Sequence, residues 1–299
     1  MRLVVRRGAP LRGSAVLPGD KSIAHRWLLL AGLARGRSRI GGLPSSLDVR
    51  STAACLASCL PELAPQLEGW LDATAPRIEG ERFTSDGPRP RPPLLVLEGS
   101  GRTSIGGPGG TLDCGNSGTT MRLLAGILAS QTGSWTLSGD GSLLGRPMER
   151  VAEPLRAMGA RISTTDGHGP LVVEGGPLRG IVHAPGTPSA QVKGAVLLAG
   201  IAADGATEVR EPAATRDHTE RALAALGAPV ELASGVVRVR AFEPPPFEGD
   251  VPGDVSAGAF LLVAAALSGG EVALVDCGLN PSRLAFLDVL GRMGVGTAR

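Results

Sequence analysis

The 299-residue chain contains no tyrosine, and aromatic residues make up 3% of it. Glycine (44 residues) and proline (24 residues) are plentiful instead, so the sequence is one of tight turns and close helix packing. A net charge of +2 argues against nucleic acid or a membrane surface as partner. No apolar run reaches the roughly 18 residues of a membrane span. The apolar part of Met1–Arg7 is too short for a signal peptide and is expected to form a first strand. Four cysteines, Cys55, Cys59, Cys114 and Cys277, show no Cys-x-x-Cys spacing or nearby histidine pair, and are expected as buried thiols in a reduced cytoplasm. Neither a Walker-type Gly-x-x-x-x-Gly-Lys nor a dinucleotide-binding Gly-x-Gly-x-x-Gly in strand–helix context occurs, so no cofactor and no metal are expected. What remains is a normal globular balance, 42% hydrophobic and 19% charged, in a length that suggests two domains.

What is present is a repeat. Leu-Leu-Ala-Gly occurs at 29–32, 123–126 and 197–200, with a relaxed copy, Leu-Val-Ala-Ala, at 262–265. A short polar stretch precedes each one: Asp20-Lys21-Ser22, Asn116-Ser117-Gly118, Ser189-Ala190-Gln191 and Asp254-Val255-Ser256. Second helices are expected to begin near Asp48, Arg146, Arg216 and Asn280. Three of them should stop at Gly159, Gly227 and Gly294, glycines spaced by 68 and 67 residues, each suited to the left-handed position after a helix. The pattern predicts an α/β (α+β) fold of four β-α-β-α-β-β units. The echo of Leu17-Pro18-Gly19-Asp20 in Val251-Pro252-Gly253-Asp254, after the stiff run Pro244-Pro245-Pro246, predicts a three-unit domain over 20–244. Residues 1–19 and 245–299 would form an incomplete second domain. The stretch with Pro88, Pro90, Pro92 and Pro93 is expected as surface loops around one strand, Leu94–Leu97.

The polar stretches carry the chemistry. A helix start offers free N–H groups and a positive dipole end, so it favours an anion. Asn116 or Ser117 can cap the helix that leads into Arg122, with Gly118 letting a ligand approach the backbone. Lys21, Ser22 and Arg26 share one helix face, and Arg146 is expected beside Pro147 at a first helical position. Gly139-Asp140-Gly141 before it is expected as a tight turn. Ser189, Gln191 and Lys193 form a third group, and Thr215 with Arg216 a fourth. Placed equivalently in a repeated fold, Lys21, Arg26, Arg122, Arg146, Lys193 and Arg216 would converge on a ligand with several negative charges. His25 is expected to pack or cap.

These stretches, in this order along nearly the whole chain, resemble the successive signatures of the 5-enolpyruvylshikimate-3-phosphate (EPSP) synthase family. The resemblance implies a two-domain enolpyruvyl transferase fold of six units. It implies transfer of the enolpyruvyl group from phosphoenolpyruvate to the 5-hydroxyl of shikimate 3-phosphate. Lys21 would be catalytic and touch both substrates. Ser22, Arg26, Ser189, Ala190, Gln191, Thr215 and Arg216 would hold shikimate 3-phosphate. Asn116, Gly118, Arg122, Arg146 and Gln191 would line the phosphoenolpyruvate site.

The family's pattern continues for about two units past Arg299 and carries its acid and base residues there. Asp254, Glu271, Asp276 and Asp288 are expected instead in a turn, a strand and a helix surface. The resemblance therefore implies impaired turnover in the chain as it stands. The alternatives are a non-catalytic shikimate-3-phosphate-binding fragment and one half of a split enzyme with a complementing C-terminal polypeptide. UDP-N-acetylglucosamine enolpyruvyl transferase shares the repeats and is the weaker resemblance.

Overall fold

A computed structural model of the chain describes residues 8–74, 93–106 and 109–298. The strand expected at Met1–Arg7 and the loops around Pro88, Pro90 and Pro92 lie outside the described residues. In chain order the elements begin with β1 (Arg12–Val16), α1 (Lys21–Leu33), β2 (Arg35–Gly41), α2 (Leu47–Cys59), α3 (Ala64–Ala73) and β3 (Leu95–Ser100). They continue with β4 (Gly110–Asp113), α4 (Gly118–Leu128), β5 (Gly133–Ser138), α5 (Gly141–Leu144), α6 (Glu149–Met158), β6 (Arg161–Thr165) and β7 (His168–Gly175). The third set is β8 (Val182–His183), α7 (Ala190–Gly200), β9 (Thr207–Arg210), α8 (His218–Ala225), β10 (Glu231–Ala233) and β11 (Val236–Val239). Last come β12 (Glu248–Asp250), α9 (Val255–Ser268), β13 (Glu271–Val275) and α10 (Ala285–Arg292).

The chain divides into two compact units, Lys21–Asp250 and Met1–Asp20 with Val251–Arg299. The larger unit holds three sheets, ordered β12-β2-β3, β4-β5-β7-β6 and β8-β9-β11-β10. In each, the first pair is parallel and the rest antiparallel. The repeat seen in the sequence is thus a repeat of topology, and in the first sheet β12, from late in the chain, takes the opening place.

The Leu-Leu-Ala-Gly helices α1, α4 and α7 are buried on nearly every side. A helix apolar all round belongs in an interior. Gly126 is what lets α4 and α7 meet: a Cβ there would lie 2.3 Å from the carbonyl oxygen of Ala195. Of the second helices, α6 (10 residues) and α8 (8 residues) are shorter, and α2 leaves Leu47, Ala54 and Ser58 exposed. The expected stops hold, since Gly159, Gly227 and Gly294 have φ of +119°, +86° and +87°.

Three local expectations are corrected. Asp140 opens a short helix by accepting from the Leu143 N–H at 2.8 Å, so Gly139-Asp140-Gly141 is not a plain turn. Helix α6 starts at Glu149, so Pro147 is not at its first position; Pro147 instead bridges to His168. Cys55, Cys59 and Cys114 are buried, but Cys277 is only half-buried.

In the smaller unit, β1 pairs in parallel with β13. Val255, Leu284, Leu287 and Leu290 form its core with Leu262, Phe286 and Val295. The Arg283 guanidinium, nearly fully buried, bonds Asp20 at 3.0 Å and Asp254 at 2.8 Å, which closes the two chain segments of this unit on each other. Among the described residues no helix is long and apolar enough to cross a membrane.

Candidate active site

Helix beginnings of the larger unit meet through side chains rather than through backbone. At the start of α1, the half-exposed Lys21 ammonium pairs with Asp48 at 2.8 Å. Arg26 is buried one turn on. Its guanidinium donates to the Ser22 carbonyl at 2.8 Å, to the Ser22 hydroxyl at 3.3 Å and to Thr219 Oγ1 at 2.9 Å. His25 is fully buried and its Nδ1 lies 2.7 Å from Thr52 Oγ1. Burial, with Arg26 and Lys21 adding repulsion, lowers its pKa to about 3, so the ring is neutral and packed.

Thr52 passes the contact on to Thr120 Oγ1 at 2.7 Å, and Thr120 bonds Ser117 Oγ at 2.7 Å. Ser117, not Asn116, is the cap of α4, accepting from the Thr120 N–H at 3.1 Å. Asn116 is exposed and turned outward. Its Nδ2 donates to both oxygens of Asp140, at 2.9 and 2.7 Å, and its Oδ1 accepts from Arg146. The Asn116 bond, followed by the Leu143 N–H, holds the Asp140 carboxyl below the usual carboxylate range.

Arg122 is buried on the next turn of α4. It donates to Gln191 Oε1 at 2.6 Å, Gly118 O at 3.2 Å and Pro147 O at 3.3 Å. Gln191 in turn donates to Thr119 Oγ1 at 2.8 Å. Gly118 sits between two arginines: a Cβ there would fall 2.6 Å from Arg122 and 3.2 Å from Arg146. Burial, then the charges of Arg150 and Arg146, lowers the Arg122 pKa to about 10. Two arginines thus flank Gly118, with the Asp140 carboxylate linked to Arg146 through Asn116, an arrangement that suits an anion.

Ser189 caps α7, accepting from the Val192 N–H at 3.4 Å, and Ala190 is the first residue of that helix. Lys193, expected to face the ligand, does not. It is buried between Glu211 at 2.7 Å and Glu220 at 2.6 Å. Desolvation of a lone lysine is costly, and two carboxylates from later elements offset it here. Thr215 donates to Glu211 as well, while Arg216 is exposed.

The contacts close on themselves. His25–Thr52 joins α1 to α2, Thr52–Thr120 joins α2 to α4, Arg122–Gln191 joins α4 to α7, Lys193–Glu220 joins α7 to α8, and Thr219–Arg26 returns to α1. Of the residues singled out from sequence, Asn116, Gly118, Arg122, Arg146 and Gln191 form one connected group. Lys21, Ser22 and Arg26 form a second, tied to the first through Thr52 and Thr120. Sequence reasoning missed Asp48, Thr52, Thr120, Asp140 and Arg150. Asp48 was visible only as the start of a second helix, and its place opposite Lys21 is set by tertiary packing.

The fold, seen with this site, is that of the enolpyruvyl transferases. A family model described as EPSP synthase (3-phosphoshikimate 1-carboxyvinyltransferase) matches residues 5–62 and 95–298, and the chain belongs to that family. It is 46% identical over 300 residues to 3-phosphoshikimate 1-carboxyvinyltransferase of Anaeromyxobacter sp. (strain Fw109-5), covering 99% of this chain and 64% of that protein. It is 43% identical over 302 residues to the protein of the same name from Acidithiobacillus ferrooxidans (strain ATCC 53993 / BNL-5-31), covering 98% and 63%. Among solved structures, EPSP synthase from Acinetobacter baumannii superposes with a TM-score of 0.76 at 35% identity, covering 96% of this chain and 61% of the other. The chain therefore spans about three-fifths of the length of these relatives.

Proposed function

We propose that the chain binds shikimate 3-phosphate and phosphoenolpyruvate and serves the transfer of the enolpyruvyl group to the 5-hydroxyl. In that reaction a C–O bond forms between the hydroxyl oxygen and C2 of phosphoenolpyruvate. The C2–O bond to phosphate breaks and phosphate leaves. A proton must reach the methylene carbon as the hydroxyl adds, one must leave the hydroxyl, and one must leave the resulting methyl group as phosphate departs and the double bond re-forms. The observation that carries the reading is the meeting of Arg122 and Arg146 about Gly118, with the Gln191 amide on Arg122, a cationic niche at the start of α4. Both substrates bear phosphate and carboxylate, which such a niche suits.

In this reading Arg146, Arg122, Asn116, Gly118 and Gln191 receive phosphoenolpyruvate. Ser22, Arg26, Ser189, Ala190, Gln191, Thr215 and Arg216 hold shikimate 3-phosphate, and Lys21 lies between the two. Lys21 is half exposed beside Asp48, so its ammonium is within reach of solvent and of a ligand. Supporting the assignment are the family membership and the order of the motifs along the chain.

A second reading is binding without turnover. It is favoured by the state of the acids: Asp140 is held ionised by Asn116 and Asp254 is engaged by Arg283. In the split-enzyme form of this reading, turnover requires a complementing polypeptide to supply acid and base groups. Phosphate release from phosphoenolpyruvate decides between the two. The proposal expects release that depends on shikimate 3-phosphate and is not supported by UDP-N-acetylglucosamine. Saturable uptake of shikimate 3-phosphate with no release would select the second reading, and release with the nucleotide sugar alone would overturn both.

A further inference from the structure

We infer that Lys193, Glu211 and Glu220 form a buried charge clamp whose role is to position the Thr215–Arg216 segment against the start of α7. The inference deepens the functional reading above and rests on it for the identity of the ligand. The Lys193 side chain is 2% exposed, with Glu211 8% and Glu220 2% exposed, so all three are out of water. One lysine thus holds two carboxylates, at 2.7 and 2.6 Å. A buried ion pair is weak evidence for a gain in stability, since well-packed apolar groups often serve as well, and burial here pushes the pKa of the Glu220 carboxyl up. The arrangement has a second use here. Glu211 precedes the segment and also accepts from the Thr215 hydroxyl, so the segment's beginning is fixed to Lys193. Glu220 follows it on α8, next to Thr219, which takes the Arg26 guanidinium at 2.9 Å. The two ends of residues 211–220 are therefore pinned to one ammonium on α7, two residues from Gln191. Gly194 leaves room for this: a Cβ there would lie 2.8 Å from Thr219 Oγ1.

Lys193 is accordingly a positioning residue, acting through Thr215 and Arg216 and not on the ligand. If Thr215 and Arg216 meet the phosphate of shikimate 3-phosphate, loosening the clamp costs recognition of that phosphate and not of the ring. The test uses the full chain with Lys193→Met and Glu211→Gln. Glu211→Gln keeps the side chain's size and leaves Lys193 paired one-to-one with Glu220, so it guards against a simple failure to fold. Hydrogen exchange is measured over residues 211–221, with calorimetric titration of shikimate 3-phosphate and of shikimate. The expected result is at least tenfold faster exchange at 211–216 in both variants, with α4 unchanged in Glu211→Gln. The preference for shikimate 3-phosphate over shikimate should fall about tenfold in Lys193→Met and about threefold in Glu211→Gln. Unchanged exchange at 211–216 in Glu211→Gln overturns the clamp. Loosened exchange with an unchanged preference overturns its role in phosphate recognition. Absence of shikimate 3-phosphate uptake by the unmodified chain overturns the functional reading instead, and the exchange result then judges the clamp alone.

Discussion

Helix α7 carries a lysine and buries it, whereas helix α9 carries no charged residue and leaves Phe260 81% and Leu267 79% exposed. The two are copies of one element in the repeat. Along α7, Val192 to Gly200 are all buried; along α9 only Val255, Gly258 and Ala265 are. Composition therefore does not decide which copy is interior. The neighbours do. α7 lies against α4, with Gly126 admitting the Ala195 carbonyl, and its lysine finds two acids on later elements. In α9 the Gly258 position is crowded only by the side chains of Leu274 and Leu17, which would stand 2.5 and 2.8 Å from a Cβ at that residue. A repeat unit buries its apolar helix by stacking on another unit, and its sequence alone does not state whether it has done so.

The largest effect that can break this comparison is a matched truncation. Leu197→Ala on α7 should cost about 3 kcal/mol of stability, while Leu267→Ala on α9 should stay within about 0.5 kcal/mol. Denaturant unfolding of the two variants measures both, and equal costs would erase the distinction.

Acid gives the next largest contrast, because all four histidines lie in the larger unit. His25 has a folded pKa lowered to about 3 from an ordinary 6.5, so the unfolded chain binds the proton more readily across that window. Its contribution to stability is complete above about pH 6.5 and is lost as pH falls toward 3. Between pH 7 and pH 5 the loss is about 2 kcal/mol. Hydrogen exchange, corrected for its intrinsic pH dependence, should show α1, α4 and α7 loosening over that range more than β1 and β13. In His25→Asn the slope should flatten, and an unaltered slope would mean that another group is responsible.

The fold was legible where it rests on short-range chemistry. The recurring Leu-Leu-Ala-Gly, the short polar stretches before it, and the stop glycines at 159, 227 and 294 all report on a few neighbouring residues, and the expected helices stand there. Pro147 misled because a proline fits the first turn of a helix and also fits a bridge outside it. The site was legible as a set of helix starts and illegible as a network. Lys193 and Glu220 are separated by a strand and a loop, as are Lys21 and Asp48 by a strand, so nothing local tells that one lysine is spent inside while the other is half exposed. Charge alone made them equivalent, and only partners distinguish them.

The ring of helix beginnings in the larger unit is proposed to hold a polyanion. Titration calorimetry of the full chain with shikimate 3-phosphate, at low and at high salt, tests it most directly. The account predicts saturable one-to-one uptake that weakens about tenfold or more as salt rises and is abolished in Arg26→Met. No heat of binding at low salt, or binding indifferent to both salt and Arg26, would contradict it.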